Sequence, residues 1–143
     1  MAEIGRTLRA AGQVGLGAAL AFAGTTHLTT AREEFQAQVP SWFPADPDAV
    51  VLASGVVEIG LGAALLATWR QPARAVVGAT AAAFFAAVFP GNIAQLTEHR
   101  DAFGLDTDAK RIARLPFQAV LIAGAVACTG VTKVVREKTT NRT

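Results

Sequence analysis

The stretch AVVLASGVVEIGLGAALLATW, residues 49–69, carries one charged side chain, Glu58, in twenty-one positions. About 20 apolar residues in a helix cross the ~30 Å hydrocarbon core of a bilayer, so this segment predicts a membrane span. Working outward, three more segments have the same character. Residues 8–28 hold no charge between Arg9 and His27, residues 75–95 hold none at all, and residues 115–132 have Gln118 as their polar exception. Ala and Gly dominate these runs and no period-2 alternation appears, so helices are expected rather than strands. The predicted fold is all-α, a single membrane domain with four transmembrane helices in a bundle.

Composition agrees. Hydrophobic residues form 52% of the 143-residue chain and charged residues 17%, against about 25% charged in soluble domains. A single Cys rules out an intramolecular disulfide or a CxxC redox pair, and two His are too few for a His-rich metal site. His27 and His99 both fall at helix ends, so no haem or metal is expected. The basic residues sit at chain ends and loops, which excludes a nucleic-acid surface.

Lys and Arg set the orientation. With the N-terminus inside, eight basic and two acidic residues lie on the cytoplasmic side, against five basic and eight acidic outside. Both termini are therefore expected in the cytoplasm, in a multi-pass protein of the plasma (inner) membrane of a bacterium. The first apolar run is longer than a signal-peptide core, so it reads as a span. Trp69 at the inner edge and Trp42–Phe43 at the outer edge suit interfacial belts.

The outer loop, residues 29–48, is amphipathic. Thr30 and Glu33 form a T-x-x-E box expected to start a short helix through Gln38, which Pro40, Pro44 and Pro47 then stop. Val39, Trp42 and Phe43 are left to rest on the membrane, as an anchor, or on the bundle mouth, as a lid. The second outer loop, around Asp106-Thr-Asp108, is expected to be a solvated loop or to place Asp106 as a helix N-cap, and Pro116 is expected in the first turn of span four. The hexapeptide Gly-Leu-Gly-Ala-Ala-Leu occurs at 15–20 and again at 60–65. It lacks the strand and third glycine of a dinucleotide site and reads as a packing seam of small residues. Ala79, Ala83 and Ala87 form a similar stripe on span three.

The polar residues His27, Ser54, Glu58, Asn92, Arg114 and Gln118 are in the wrong solvent, and together they favour the outer half of the bilayer. Glu58 is the sharpest, since a charge at mid-membrane costs about 2.5–3.5 kcal/mol on insertion scales. It either stays ionised beside Arg114 or a protonated His27, or enters carrying its own proton. Glu58 and His27 are the candidate catalytic pair, and Asn92, Arg114, Gln118 and Ser54 the candidate binding residues. A cluster of this kind suits an amphipathic molecule with an apolar body and a polar head.

Five segments, Gly24-Thr-Thr-His27, Pro40-Ser-Trp-Phe-Pro44, Ser54-Gly-Val-Val-Glu58-Ile-Gly60, Val88-Phe-Pro-Gly-Asn92 and Arg114-Leu-Pro-Phe-Gln118, resemble in order the DoxX-like small membrane proteins, over roughly residues 12–130. Gly91 replaces the alanine usual in that family, and Thr29–Thr30 replaces a more aromatic or proline-rich stretch. The resemblance implies a four-helix membrane bundle linked to quinone-like molecules. Three functions stay open: a module binding a quinone or similar lipophilic molecule, as membrane subunit of an oxidoreductase; a stand-alone enzyme using Glu58 and His27 for isomerisation or epoxide opening; and a structural membrane partner without ligand. The bilayer is the expected surrounding, with a protein partner or a second copy of the chain also open.

Overall fold

The computed structural model describes residues 2–140, all-helical with no strand among them. Arg142, counted above on the cytoplasmic side, lies outside the described residues. Six helices follow in order: α1 (Ala2–Leu28), α2 (Arg32–Gln36), α3 (Pro47–Ala67), α4 (Ala73–Thr97), α5 (Asp108–Thr129) and α6 (Val131–Thr140). Three of them, α3, α4 and α5, are long and apolar enough to cross a membrane. Their outward faces carry large apolar side chains such as Val56, Val76, Ile93, Phe117 and Val120, as lipid contact requires. The chain is a membrane protein with apolar helices. α1 is the longest helix and is not among these three, with Arg6, Arg9, Gln13 and His27 along its length.

The four long helices share a core of Leu20 from α1, Leu65 from α3, Ala81, Ala82 and Phe85 from α4, and Ala125 from α5. α1 packs chiefly along α3, and α4 along α5. Glycines set the first of these contacts. A Cβ on Gly24 would fall 2.5 Å from the Gly55 carbonyl oxygen, and one on Gly62 would fall 2.6 Å from that of Gly17. Backbones this close leave no room for a side chain. The repeated hexapeptide thus contributes its second glycine, Gly17 or Gly62, to the seam, while Gly15 and Gly60 face open space. The expected alanine stripe on span three is corrected: Ala79, Ala83 and Ala87 are exposed, and Ala75, Gly78, Ala82 and Phe85 form the packed face.

Helix ends also depart from expectation. Asp46 caps α3 by accepting from the Ala49 N–H at 3.0 Å, so Pro47 opens this helix at its first turn. α5 starts at Asp108 with Thr107, not Asp106, as its cap, and Pro116 lies well inside it. The fourth apolar segment does not run unbroken to residue 132, because Gly130 (φ 79°) ends α5 in a left-handed cap and α6 begins afterwards. The Thr30–Glu33 capping box does not form; α2 begins at Arg32 behind Ala31, without a side-chain cap.

A second polar network closes the end of the molecule away from residues 29–46. Gln13, fully buried in α1, donates to the carbonyls of Leu65 at 2.7 Å and Thr68 at 2.9 Å. Arg74 donates from Nε to Gln13 Oε1 and from Nη2 to the Cys128 carbonyl at 2.7 Å, and Gln71 donates to the Thr129 carbonyl at 2.7 Å. The last carbonyls of a helix have no partner within it. Here side chains from α1, from α4 and from Gln71 just before it satisfy those of α3 and α5, with a cation placed at a negative helix end.

Candidate functional site

His27, Ser54, Glu58, Asn92, Arg114 and Gln118 all line one cavity of about 460 Å³. Its apolar walls include Leu16, Leu20, Phe85 and Leu121, and residues 38–43 cover its mouth. The volume falls in the range of small-molecule sites, about 300–1,000 Å³.

The approach of Gly24 to Gly55 brings the end of α1 against α3 and sets His27 beside Glu58. His27 Nδ1 lies 3.1 Å from Glu58 Oε2 and 2.8 Å from the Ala23 carbonyl oxygen. With the proton on Nδ1 donated to that carbonyl, one turn back in α1, none is left on this nitrogen for the carboxyl. Glu58, only 8% exposed, therefore holds the one buried side-chain oxygen or nitrogen among the described residues that lacks a hydrogen-bond partner, Oε2. Orphaning such an atom costs about 1–3 kcal/mol, and native folds keep few of them. Of the two partners expected for Glu58, the structure supplies His27; no ion pair joins Glu58 to Arg114 among the described residues.

Phe35 of α2 stacks on the His27 ring, with centroids 3.4 Å apart, and Phe103 packs on Phe35 in turn. Phe103 holds a left-handed backbone conformation (φ 55°) that an aromatic residue rarely adopts. Its N–H donates to Glu34 Oε2 at 2.8 Å, which helps to hold it there.

Asn92 Nδ2 donates to Gln118 Oε1 at 3.0 Å, and Gln118 Nε2 donates to the Phe85 carbonyl. Pro90 withholds a donor from the carbonyl four residues back, at Ala86. The adjacent Phe85 carbonyl is served from α5 by Gln118, which Asn92 orients. Ser54 turns its hydroxyl proton to the Val51 carbonyl of its own helix, 2.9 Å away, leaving its oxygen as an acceptor at the wall.

Arg114 donates to Gln95 Oε1 at 2.9 Å and lies over the Phe103 ring, 5.5 Å from its centroid. With the Gln38 amide turned oxygen-first, that oxygen accepts from Nη1 at 2.7 Å and Nη2 at 2.9 Å. Gln38, Gln95 and Phe35 were not among the expected site residues. Gln95, a buried amide at the end of an apolar run, bore the same signal as Asn92. Gln38 and Phe35 had none, because only the chain reversal after Leu28 brings them over the cavity.

The covering segment is clasped to the helix ends. Arg100 donates to the Val39 carbonyl at 2.8 Å, and Glu98 accepts from the Ser41 N–H and hydroxyl, each at 3.1 Å. The Ser41 backbone N–H, then its hydroxyl and Arg100, hold the Glu98 carboxyl below the usual carboxylate range. The choice between lid and anchor divides by residue. Val39 is buried, whereas Trp42 is 68% exposed at the rim. Gly91 has a reason here too: a Cβ would sit 2.3 Å from the Gln38 carbonyl oxygen, which rests on α4 at this point.

No curated protein and no solved structure matches the chain. The family described as "Domain of unknown function (DUF8561)" matches residues 16–129, a span that contains the three apolar helices and every residue lining the cavity. The chain belongs to that family.

Proposed function

We propose that the protein binds a quinone or similar lipophilic small molecule in this cavity, as the membrane subunit of an oxidoreductase. On this reading α1 is a fourth span alongside α3, α4 and α5, both termini face the cytoplasm of a bacterium, and α6 lies on the inner surface with its basic residues toward lipid headgroups. The Lys and Arg distribution supports that orientation, and the glycine seam along α3 supports the placement of α1. The resemblance to DoxX-like proteins supports the quinone-like class. One observation carries the proposal: a buried carboxyl with an unpartnered oxygen, at a cavity whose walls also hold an imidazole, a guanidinium and three amides. Glu58 handles the proton, His27 is its neighbour, and Asn92, Arg114, Gln118 and Ser54 receive the polar head.

Native mass spectrometry of detergent-purified wild type and Glu58→Gln tests the proposal. A small molecule retained by the wild type and lost from the variant is the expected result. An empty wild type with an unchanged oligomer and melting point would overturn it.

The 3.1 Å contact between His27 Nδ1 and Glu58 Oε2 favours one second reading, an acid–base pair acting on a lipophilic substrate. That reading expects Glu58→Gln to keep the bound molecule and lose turnover.

A further inference from the structure

Five basic side chains belong to the segments on the covered side of the molecule, and four of them meet a carboxylate. Arg32 pairs with Asp48, Arg100 with Glu98, Lys110 with Asp106, and Arg111 with both Asp101 and Asp108. Arg114 pairs with none among the described residues, and it alone of the five lines the cavity. Its partners are the neutral oxygens of Gln95 and Gln38 and the face of Phe103. The cavity's own acid, Glu58, faces His27 instead. A half-buried cation without a counter-charge is disfavoured in an apolar surrounding, and this one stays beneath the covering segment, against the cavity.

The hydrogen bonds leave a defined vacancy on the guanidinium. Of its five N–H donors, Gln95 takes one on Nη1, and Gln38 takes one from each Nη nitrogen. The N–H of Nε and one N–H of Nη2 remain, and these share one edge of the plane. Two parallel donors on one edge match the two oxygens of a carboxylate. The two glutamines hold the fork in place without neutralising it.

We infer that the ligand of this cavity is an amphipathic anion, whose carboxylate-type head is held by the free edge of Arg114 while its apolar body lies against Leu16, Leu20, Phe85 and Leu121. This rests on the cavity being a site for a lipophilic ligand, as proposed above, and within that reading it selects a carboxylate-headed molecule over a neutral quinone. Arg114 is the specificity-determining residue for that charge.

The test uses a matched pair of probes, a palmitic acid bearing a photoreactive diazirine and its methyl ester. The protein is held in phosphatidylcholine nanodiscs, and labelled residues are mapped by mass spectrometry. Wild type should label at cavity-lining residues at least tenfold more with the acid than with the ester. Arg114→Gln should lose that preference and Arg114→Lys should keep part of it, with ester labelling the same in all three. The acid-to-ester ratio on wild type needs no variant, so a misfolded Arg114→Gln leaves the test intact. Equal labelling of the cavity by both probes would overturn the anion inference and leave the ligand site standing. Absence of cavity labelling by either probe would overturn the anion inference, while retention of a small molecule in native mass spectrometry decides the ligand site separately. Labelling confined to lipid-facing residues, equal for both probes, would identify bilayer partitioning and overturn the inference.

Discussion

Gln13 and Glu58 answer one problem in opposite ways, that of a polar side chain inside an apolar helix cluster. Gln13 has its amide donors and its oxygen engaged by Leu65, Thr68 and Arg74, and it acts as a structural clamp. Glu58 has an oxygen left over, and the fold pays for it. Removing Arg74, as Arg74→Met, strands the Cys128 carbonyl and Gln13 Oε1. It should cost about 1–3 kcal/mol, read as a lower thermal midpoint, while ligand retention in native mass spectrometry is unchanged. Loss of the ligand at an unchanged midpoint would contradict the division between clamp and site. At this scale the sequence was informative where a polar group broke an apolar run, because such groups are expensive enough to need a reason. Glu58, Asn92 and Gln118 are visible on those grounds. Gln13 carries the same signal inside residues 8–28, apart from the polar cluster of the outer half. Arg114 is visible as a residue, but not as an unneutralised one, since pairing depends on which loop carboxylates come within reach.

Between α1 and α3, packing and site are the same feature. Adding a methyl group at Gly55 places a Cβ 2.8 Å from His27 Cβ and 2.9 Å from the Gly24 carbonyl oxygen. Gly55→Ala should therefore destabilise by about 1–3 kcal/mol and displace His27 from Glu58, whereas Gly60→Ala, which meets nothing within 4 Å, should do neither. Thermal unfolding together with ligand retention distinguishes the two variants. The covering segment supplies a pH test. Because Glu98 is held below the usual carboxylate range in the folded state, its contribution is complete at neutral pH. It is lost as pH falls below about 4, the ordinary glutamate range, through its lowered value. In a Trp69→Phe background, Trp42 fluorescence should change over that acid window, and Glu98→Gln should show the loosened signal at neutral pH already. Helix positions were legible from apolar runs; several helix ends were not. The T-x-x-E box fails because residues 29–31 are taken into the turn that closes α1, where the Ala31 N–H donates to the Thr26 carbonyl at 3.0 Å, and α2 then starts late enough to stack Phe35 on His27. α5 begins before Pro116 because Thr107 caps it and Arg111 is neutralised by Asp101 and Asp108, so a charged first turn is tolerated where hydropathy alone places none.

Across the whole molecule, the apolar helices and the convergence of six scattered polar residues follow from a single physical rule, that lipid tolerates few unsatisfied polar groups. The linear pattern does not carry the lid, the glutamine cradle of Arg114 or the closing network, all of which depend on loops and helix ends meeting in space. The two ends of the helix cluster differ. One opens beneath residues 38–43, while the other is plugged by Gln13, Leu65 and Thr129, all without exposed surface. At its inner end the cavity meets Leu16, Ala19 and Leu121, and the same three side chains wall a second pocket that runs between α1 and α5 to Arg9 and Thr132. A proton exchanged at Glu58 through the mouth of the cavity passes beneath residues 38–43 and beside the His27 ring, so the segment that shelters the site also governs how fast its carboxyl meets water.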